Sequence, residues 1–333
     1  MKRPYSIAGG IILALGGLFL GWRKYLNLKI LRVSYNSIPL NLPVLVTRRR
    51  GILARQLEQH KVTPEFHHFI VGNEMTGAME AGKLEIASMM GVTSLITSRD
   101  RGRDLRIMAA CSQAPSAFAV VTQADSSLDL NNLAGKKIAV TLGTEAHYLL
   151  AKALGEVNLT LAHVQLVNLL VPDAADALEQ CRVDAAVIVE PLLTRLEADN
   201  KIRVLRNGEG LMDGLTVIAG RARFLKYRRG LGEAYLAAHR ESLEYIRDNY
   251  SDAVVMAAEE TNMSPELVTG ILNKFNYGLE LDDRVMAHIQ EQADFLLREG
   301  IITRPVKAAD LLAPAGRKRE RYGKPGPPAP EPV

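Results

Sequence analysis

At 333 residues the chain is long enough for two lobes of ordinary domain size, each with its own core. Its 47% hydrophobic and 23% charged content is that of a globular protein and excludes general disorder. The net charge of +4 sits at the ends: residues 1–29 carry +5 and residues 313–333 carry +3, which leaves −4 for residues 30–312 and gives no support to nucleic-acid binding by the body.

In chain order, Lys2 and Arg3 precede a 16-residue apolar run from Ile7 to Trp22, and Arg23-Lys24 follows it. A charged start before an apolar run marks a signal anchor or signal peptide within residues 1–28. The run is slightly short of the usual spanning length of about 20 residues. No small-x-small cleavage site follows it, so an uncleaved anchor over residues 5–22, in contact with the membrane, is the preferred reading. The run contains no cysteine, which excludes a lipoprotein anchor.

Strand-like and helix-like segments then alternate. "KILRVSYN" (29–36) reads as a strand, and 42–57 as a helical stretch with a break at Gly51. Residues 64–72 read as a strand, "NEMTGAMEAGK" as a helix, and 84–90, 105–112, 117–123 and 136–143 as strands. A helix from Glu145, a strand over 164–170, a helix near 173–181 and a strand over 183–191 complete this part. Strands separated by helices of ordinary length predict parallel sheet with crossovers. From about residue 230 the pattern is helical only. Ser264-Pro265 is a helix start with the hydroxyl at the N-cap and Pro at N1, and Gly300 is a helix end. The basic, then Pro-rich tail 313–333 is too poor in apolar residues to pack.

The chemistry of several enzyme classes is missing: there is no G-x-x-x-x-G-K-[ST], no G-x-S-x-G and no H-E-x-x-H. His67 and His68 are adjacent in a strand, where their side chains point to opposite faces, so a shared metal is not expected. Cys111 and Cys181 are expected as two small buried apolar residues; whether they pair is open. His147 stands at the third position of its helix, where the helix dipole disfavours the imidazolium. It suits a binding wall or a helix brace better than a general base. No catalytic residue, metal or cofactor is expected.

Several stretches together resemble one family. "GTEAHYLLAKAL" is similar to the G-[TS]-[ST]-x-H-Y-L-L segment of periplasmic substrate-binding proteins of ABC importers for sulfonates, nitrate and taurine, whose wider relatives bind thiamine-pyrimidine precursors. "LRVSYNSIPLNLPVLVTRRRGIL" resembles their first strand, loop and helix, and "GNEMTGAMEAGKLEIASMMGVTSLI" their second motif, with Glu85 where Asp is usual. "LNNLAGKKIAV" and "DAADALEQCRVDAAVIVEP" follow in order, the latter with Cys181 near the usual Gly.

The resemblance implies an α/β, two-lobed periplasmic-binding-protein fold of type II, with mixed, mainly parallel sheets, a hinge of crossing strands and a helical C-terminal extension. Residues 29–115 with 217–312 would form the first lobe and 116–216 the second, crossing at Ala114–Val120 and Gly214–Ala219. The implied partners are a small ligand, sulfonate-like and anionic or zwitterionic, held in the cleft by hinge closure, and an ABC permease in the membrane. Carried over by position, the pocket draws on Asn36, Ser37, Ile38, Asn73, Gly91, Val92 and Thr93 of the first lobe. From the second come Gly143, Thr144, Glu145, His147 and Glu190. Thr144 is equally readable as a helix N-cap and Glu190 as a strand-end brace. Glu145 departs from the family, which commonly offers a small hydroxyl residue there. Facing the cleft it would repel a sulfonate and welcome an amine or ring N–H; turned to solvent, its backbone N–H would still serve an anion. Two alternatives stay open: a pyrimidine-precursor binder or enzyme on the same fold, whose cysteine-rich motif two distant cysteines do not supply, and a membrane-anchored sensory or scaffold protein.

Overall fold

The computed structural model describes residues 29–69 and 72–313. The expected anchor over residues 5–22 and the expected tail beyond Ala313 lie outside the described residues. Among the described residues no helix is long and apolar enough to cross a membrane.

The chain begins with β1 (Ile30–Tyr35), α1 (Leu42–Arg49), α2 (Ile52–Leu57), β2 (Thr63–His68), α3 (Gly72–Glu80), β3 (Ile86–Gly91), α4 (Val92–Asp100) and β4 (Leu105–Gln113). It crosses to β5 (Phe118–Gln123), β6 (Lys137–Val140), α5 (Glu145–Glu156), β7 (Gln165–Asn168), α6 (Val171–Glu179), β8 (Ala185–Val189), α7 (Leu192–Ala198) and β9 (Ile202–Asn207). It returns through β10 (Thr216–Arg221), α8 (Ala222–Tyr227), α9 (Arg229–Asp248), α10 (Tyr250–Thr261), α11 (Pro265–Leu272), β11 (Asn276–Tyr277) and α12 (Asp283–Arg298).

Two sheets result, with orders β11-β4-β10-β3-β1-β2 and β7-β6-β8-β5-β9. In the first, β1 pairs parallel with β2 and β3, and β10 runs antiparallel between β3 and β4. In the second, β6 pairs parallel with β7 and β8, and β5 runs antiparallel between β8 and β9. Helices between parallel neighbours are the crossovers that such pairing requires. The first sheet is covered on both faces, which is why β3 carries a run of buried residues from Ile86 to Met90 with no alternation. One face packs on α1, α2 and α9–α11 around Leu45, Leu53 and Tyr235. The other packs on α3, α4 and α12, and this core continues into α5 of the second lobe through Tyr148, Leu149 and Phe295.

Two segments join the lobes: 114–117 between β4 and β5, and 208–215 between β9 and β10. They lie side by side, the Ala114 N–H donating to the carbonyl oxygens of Asp213 at 3.0 Å and Gly214 at 3.3 Å. Gly214 has φ +55°, and a Cβ there would stand 2.3 Å from the Ala114 carbonyl oxygen. Only glycine fits this crossing. At the far end of β3 from its loop, the buried Glu85 takes Arg32 Nε at 3.0 Å and Arg221 Nη2 at 2.7 Å. The Asp-to-Glu departure therefore concerns a structural pin at the strand start.

Local expectations are met where a backbone signal marks them. Gly51 (φ +62°) separates α1 from α2, Ser264 Oγ accepts the Leu267 N–H at 3.3 Å, and Gly300 (φ +67°) follows α12. Two expectations are corrected, and one element is added. The stretch beyond residue 230 is not wholly helical, since Asn276–Tyr277 pairs with β4 at the sheet edge. The added element is α4, whose buried residues lie all round it. Cys181 is exposed: it occupies the left-handed position (φ +55°) after α6, where the family's glycine would stand and where the chain turns out of the core. Cys111 is buried as expected.

Gly214→Ala is expected to lower stability by about 2–4 kcal/mol, read by urea unfolding, because a left-handed φ and a backbone clash coincide. His239, buried in α9 with neither ring nitrogen bonded, has its pKa pushed down to about 4, by burial first and Arg240 second. The fold thus holds the neutral ring, while the unfolded chain protonates near 6.5. Its contribution is intact above about pH 6.5 and is lost as pH falls toward 4, on the order of 3 kcal/mol. Denaturant midpoints measured between pH 7.5 and 4 should fall less steeply in His239→Leu than in the parent.

Candidate functional site

The loop after β3 and the start of α4 meet the loop after β6 and the start of α5. On the first side Gly91 is the extended N-cap of α4, and Val92 and Thr93 are buried in its first turn. On the second, the left-handed Gly143 (φ +75°) reverses the chain into the N-cap Thr144; a Cβ on Gly143 would stand 3.0 Å from Ile301 Cγ2. Thr144 does not cap the helix with its side chain, because Oγ1 donates to the Thr141 carbonyl at 2.7 Å.

Glu145 is 8% exposed, and its Oε1 accepts the Thr93 backbone N–H from the other lobe at 3.0 Å. Its carboxylate faces the interlobe boundary; the solvent-facing alternative does not occur. The contact demands a glycine opposite: a Cβ on Gly91 would lie 2.7 Å from both carboxylate oxygens. Burial pushes the Glu145 pKa upward, against the lowering effect of hydrogen bonds from the amides of Thr93, Glu145 itself and Val92.

His147 braces the turn beneath. Its Nδ1 accepts the Gly143 N–H at 3.3 Å and its ring meets Phe295 edge-on at 5.1 Å. Burial lowers its pKa, with Glu299 opposing. The ring is therefore neutral, carries its proton on Nε2, and Nε2 is buried without a partner. Tyr148, next along, is buried and donates to Glu291 Oε2 at 2.9 Å.

Glu190 is buried at the end of β8 and accepts from protein groups: Thr194 Oγ1 and Lys274 Nζ each reach Oε1 at 2.6 Å, and the Thr194 N–H reaches Oε2 at 3.3 Å. On the first lobe Ser37 Oγ bonds the Tyr35 hydroxyl at 2.8 Å, and the Ile38 carbonyl accepts the Asn41 N–H at 3.0 Å. Asn36, at the end of β1, keeps Oδ1 buried with no donor, as does the Thr93 hydroxyl. Asn73 is exposed in the first turn of α3, not in the loop before it. The structure thus brings Gly91, Val92, Thr93, Gly143, Thr144, Glu145 and His147 together.

Sequence reasoning missed Lys274, Phe295 and Ile301, which reach the second lobe from the C-terminal helices. None carries a motif: Phe295 lies within α12, Lys274 in the turn after α11 and Ile301 just after α12, and only the path of the chain puts them there. Among the described residues no cluster of His, Cys, Asp or Glu could hold a metal ion. His67 is half-buried beside Glu65 and His68 is exposed. A separate concavity of about 1000 Å³ lies beside the crossing segments, lined by Ser112, Gln113, Asp213, Arg240, Tyr277 and His288 among others. None of the twelve expected pocket residues lines it.

Comparison with known proteins gives a consistent result. The model of a family described as NMT1/THI5 like matches residues 72–253. A putative aliphatic sulfonates-binding protein of Bacillus subtilis (strain 168) is 25% identical over 276 residues, covering 81% of this chain and 82% of its own. The alkanesulfonate-binding protein SsuA from Xanthomonas axonopodis pv. citri, bound to MOPS, superposes with a TM-score of 0.77 at 20% identity, over 85% of this chain and 98% of its own. The fold is also that of an enzyme: desulfurization enzyme DSZB superposes with a TM-score of 0.64 at 18% identity, over 86% and 96% of the two chains. The two-lobed periplasmic-binding-protein fold expected from the sequence is the one observed.

Because burial raises the Glu145 pKa, the acid is tolerated at low pH. Stability is then lost as pH rises from about 4.3, the unfolded value, through the elevated folded value. Glu145→Gln removes this loss. The variant should melt above the parent at pH 7, with the difference closing toward pH 4 in paired thermal melts.

Proposed function

The chain belongs to the NMT1/THI5-like family, and from that premise we propose that it is the extracytoplasmic solute-binding component of an ABC importer. A small molecule is held between the lobes, and closure about the crossing segments 114–117 and 208–215 presents the closed form to a membrane permease. A segment within residues 5–22 anchors the chain, and the extracytoplasmic role of the body places Met1 in the cytoplasm.

One observation carries this reading: the starts of α4 and α5, from different lobes, converge within hydrogen-bond distance of each other. Glycines that let a ligand approach and a wall with the buried unpartnered Asn36 Oδ1 suit recognition of a small polar group. The names of the relatives support the class, as aliphatic sulfonates-binding and alkanesulfonate-binding proteins.

The chain is a binder and not an enzyme like the desulfurization enzyme of the same fold. Neither cysteine is placed for nucleophilic attack in the cleft. Burial pushes the Cys111 thiol up to about 12, and Cys181 is exposed at the end of α6. His147 Nδ1 is committed to the Gly143 amide, so the ring has no nucleophile to activate through that nitrogen.

Trp22 is the only tryptophan and lies before the first described strand, so calorimetry is a better reporter than tryptophan fluorescence. Titration with alkylsulfonates, taurine, nitrate, bicarbonate and aminopyrimidines should give one ligand bound one to one at micromolar Kd or tighter, about −8 kcal/mol. Small-angle scattering should then show a smaller radius of gyration for the complex. A folded protein that binds nothing across the panel would count against a solute receptor.

A further inference from the structure

The first turn of α4 exposes amide N–H groups without partners inside the helix, and its positive end favours an anion. In this chain that place is already taken. The Thr93 N–H donates to Glu145 Oε1 at 3.0 Å, and Gly91 leaves the space that the carboxylate fills. The occupant comes from the other lobe, 52 residues along the chain.

Glu145 is also a buried carboxyl with no cationic side chain paired to it among the described residues. Ion pairs at the lobe boundary include Glu190–Lys274 at 2.6 Å, Asp213–Arg284 at 2.7 Å and Lys152–Glu291 at 3.9 Å, and among the described residues Glu145 forms none. Buried carboxylates are ordinarily compensated by a positive partner. A buried carboxylate whose protein donors are amides calls for a ligand that donates.

Resting on the solute-receptor reading, we propose that Glu145 determines specificity: its carboxylate fills the seat an anionic head would take, and the cleft selects a ligand with a cationic, N–H-donating head over a sulfonate. A sulfonate entering here would find the amide of Thr93 engaged and a like charge within a few ångströms in a site of low dielectric. An ammonium would supply the counter-charge that Glu145 lacks. The same logic orders a zwitterion such as taurine, its ammonium toward Glu145 and its sulfonate away.

The test is titration calorimetry on the full-length chain with n-butylamine and butane-1-sulfonate, which share a carbon chain and differ in the charge of the head. The parent, Glu145→Ser and Glu145→Gln are compared, with thermal melts reporting that each is folded. The parent should bind the ammonium at least tenfold more tightly than the sulfonate, and Glu145→Ser should reverse the order. If a variant does not fold, the preference of the parent decides alone. A parent that prefers butane-1-sulfonate, with variants no better at binding it, overturns the inference and leaves the solute-receptor reading standing. Failure of both heads and of the whole earlier panel, on folded parent and variants, removes both.

Discussion

A carboxylate that reaches from one lobe onto the helix start of the other sets the terms for everything around it. Glu145 is nearly fully buried, and its compensation is the Thr93 amide and the positive end of α4 instead of a cationic side chain. Such compensation acts over a few ångströms, so both helix starts must be held in place. Gly91 is glycine because the carboxylate fills the volume of its side chain. Gly143 adopts a left-handed turn so that α5 begins where Glu145 can reach across, and His147 takes the amide of that turn. Five residues that look like separate motif positions serve one contact.

The framework holding these starts together is the C-terminal part of the chain. Helix α12 packs on the first lobe in the same core as α4, and its Phe295 meets both His147 and Tyr148 of the second. Lys274, following α11, closes on Glu190 at the end of β8. Such a pair is weak evidence for stability, because desolvation opposes the attraction, but its geometry fixes a register between lobes. The side-by-side crossing of Ala114 and Gly214 supplies the third tie. The boundary is thus held by a continuous apolar core together with these polar ties.

The position of Glu145 also separates fold from ligand. Relatives named for aliphatic sulfonates share the architecture, yet a fold hosts many ligands and the choice lies with side chains at the cleft. What sets this chain's helix starts apart is one carboxylate and the glycine facing it, against a background shared with binding proteins and with an enzyme.

The sequence by itself determined the α/β class, the order of most strands and helices, the breaks at Gly51 and Gly300, the start at Ser264, and the set of loops from which a site would be built. These are legible because side-chain periodicity and backbone signals are local: each needs only a few consecutive residues. It did not give α4, buried all round and so without a polar face to mark it, nor the two-residue β11, which exists only as the partner of β4. It left the direction of Glu145 open, and it gave no sign of Lys274, Phe295 or Ile301. Those were decided by tertiary structure alone, because Glu145 and Thr93 stand 52 residues apart and Glu190 and Lys274 stand 84 apart. Which distant group a side chain meets depends on how the chain crosses between two sheets, and no local pattern carries that information.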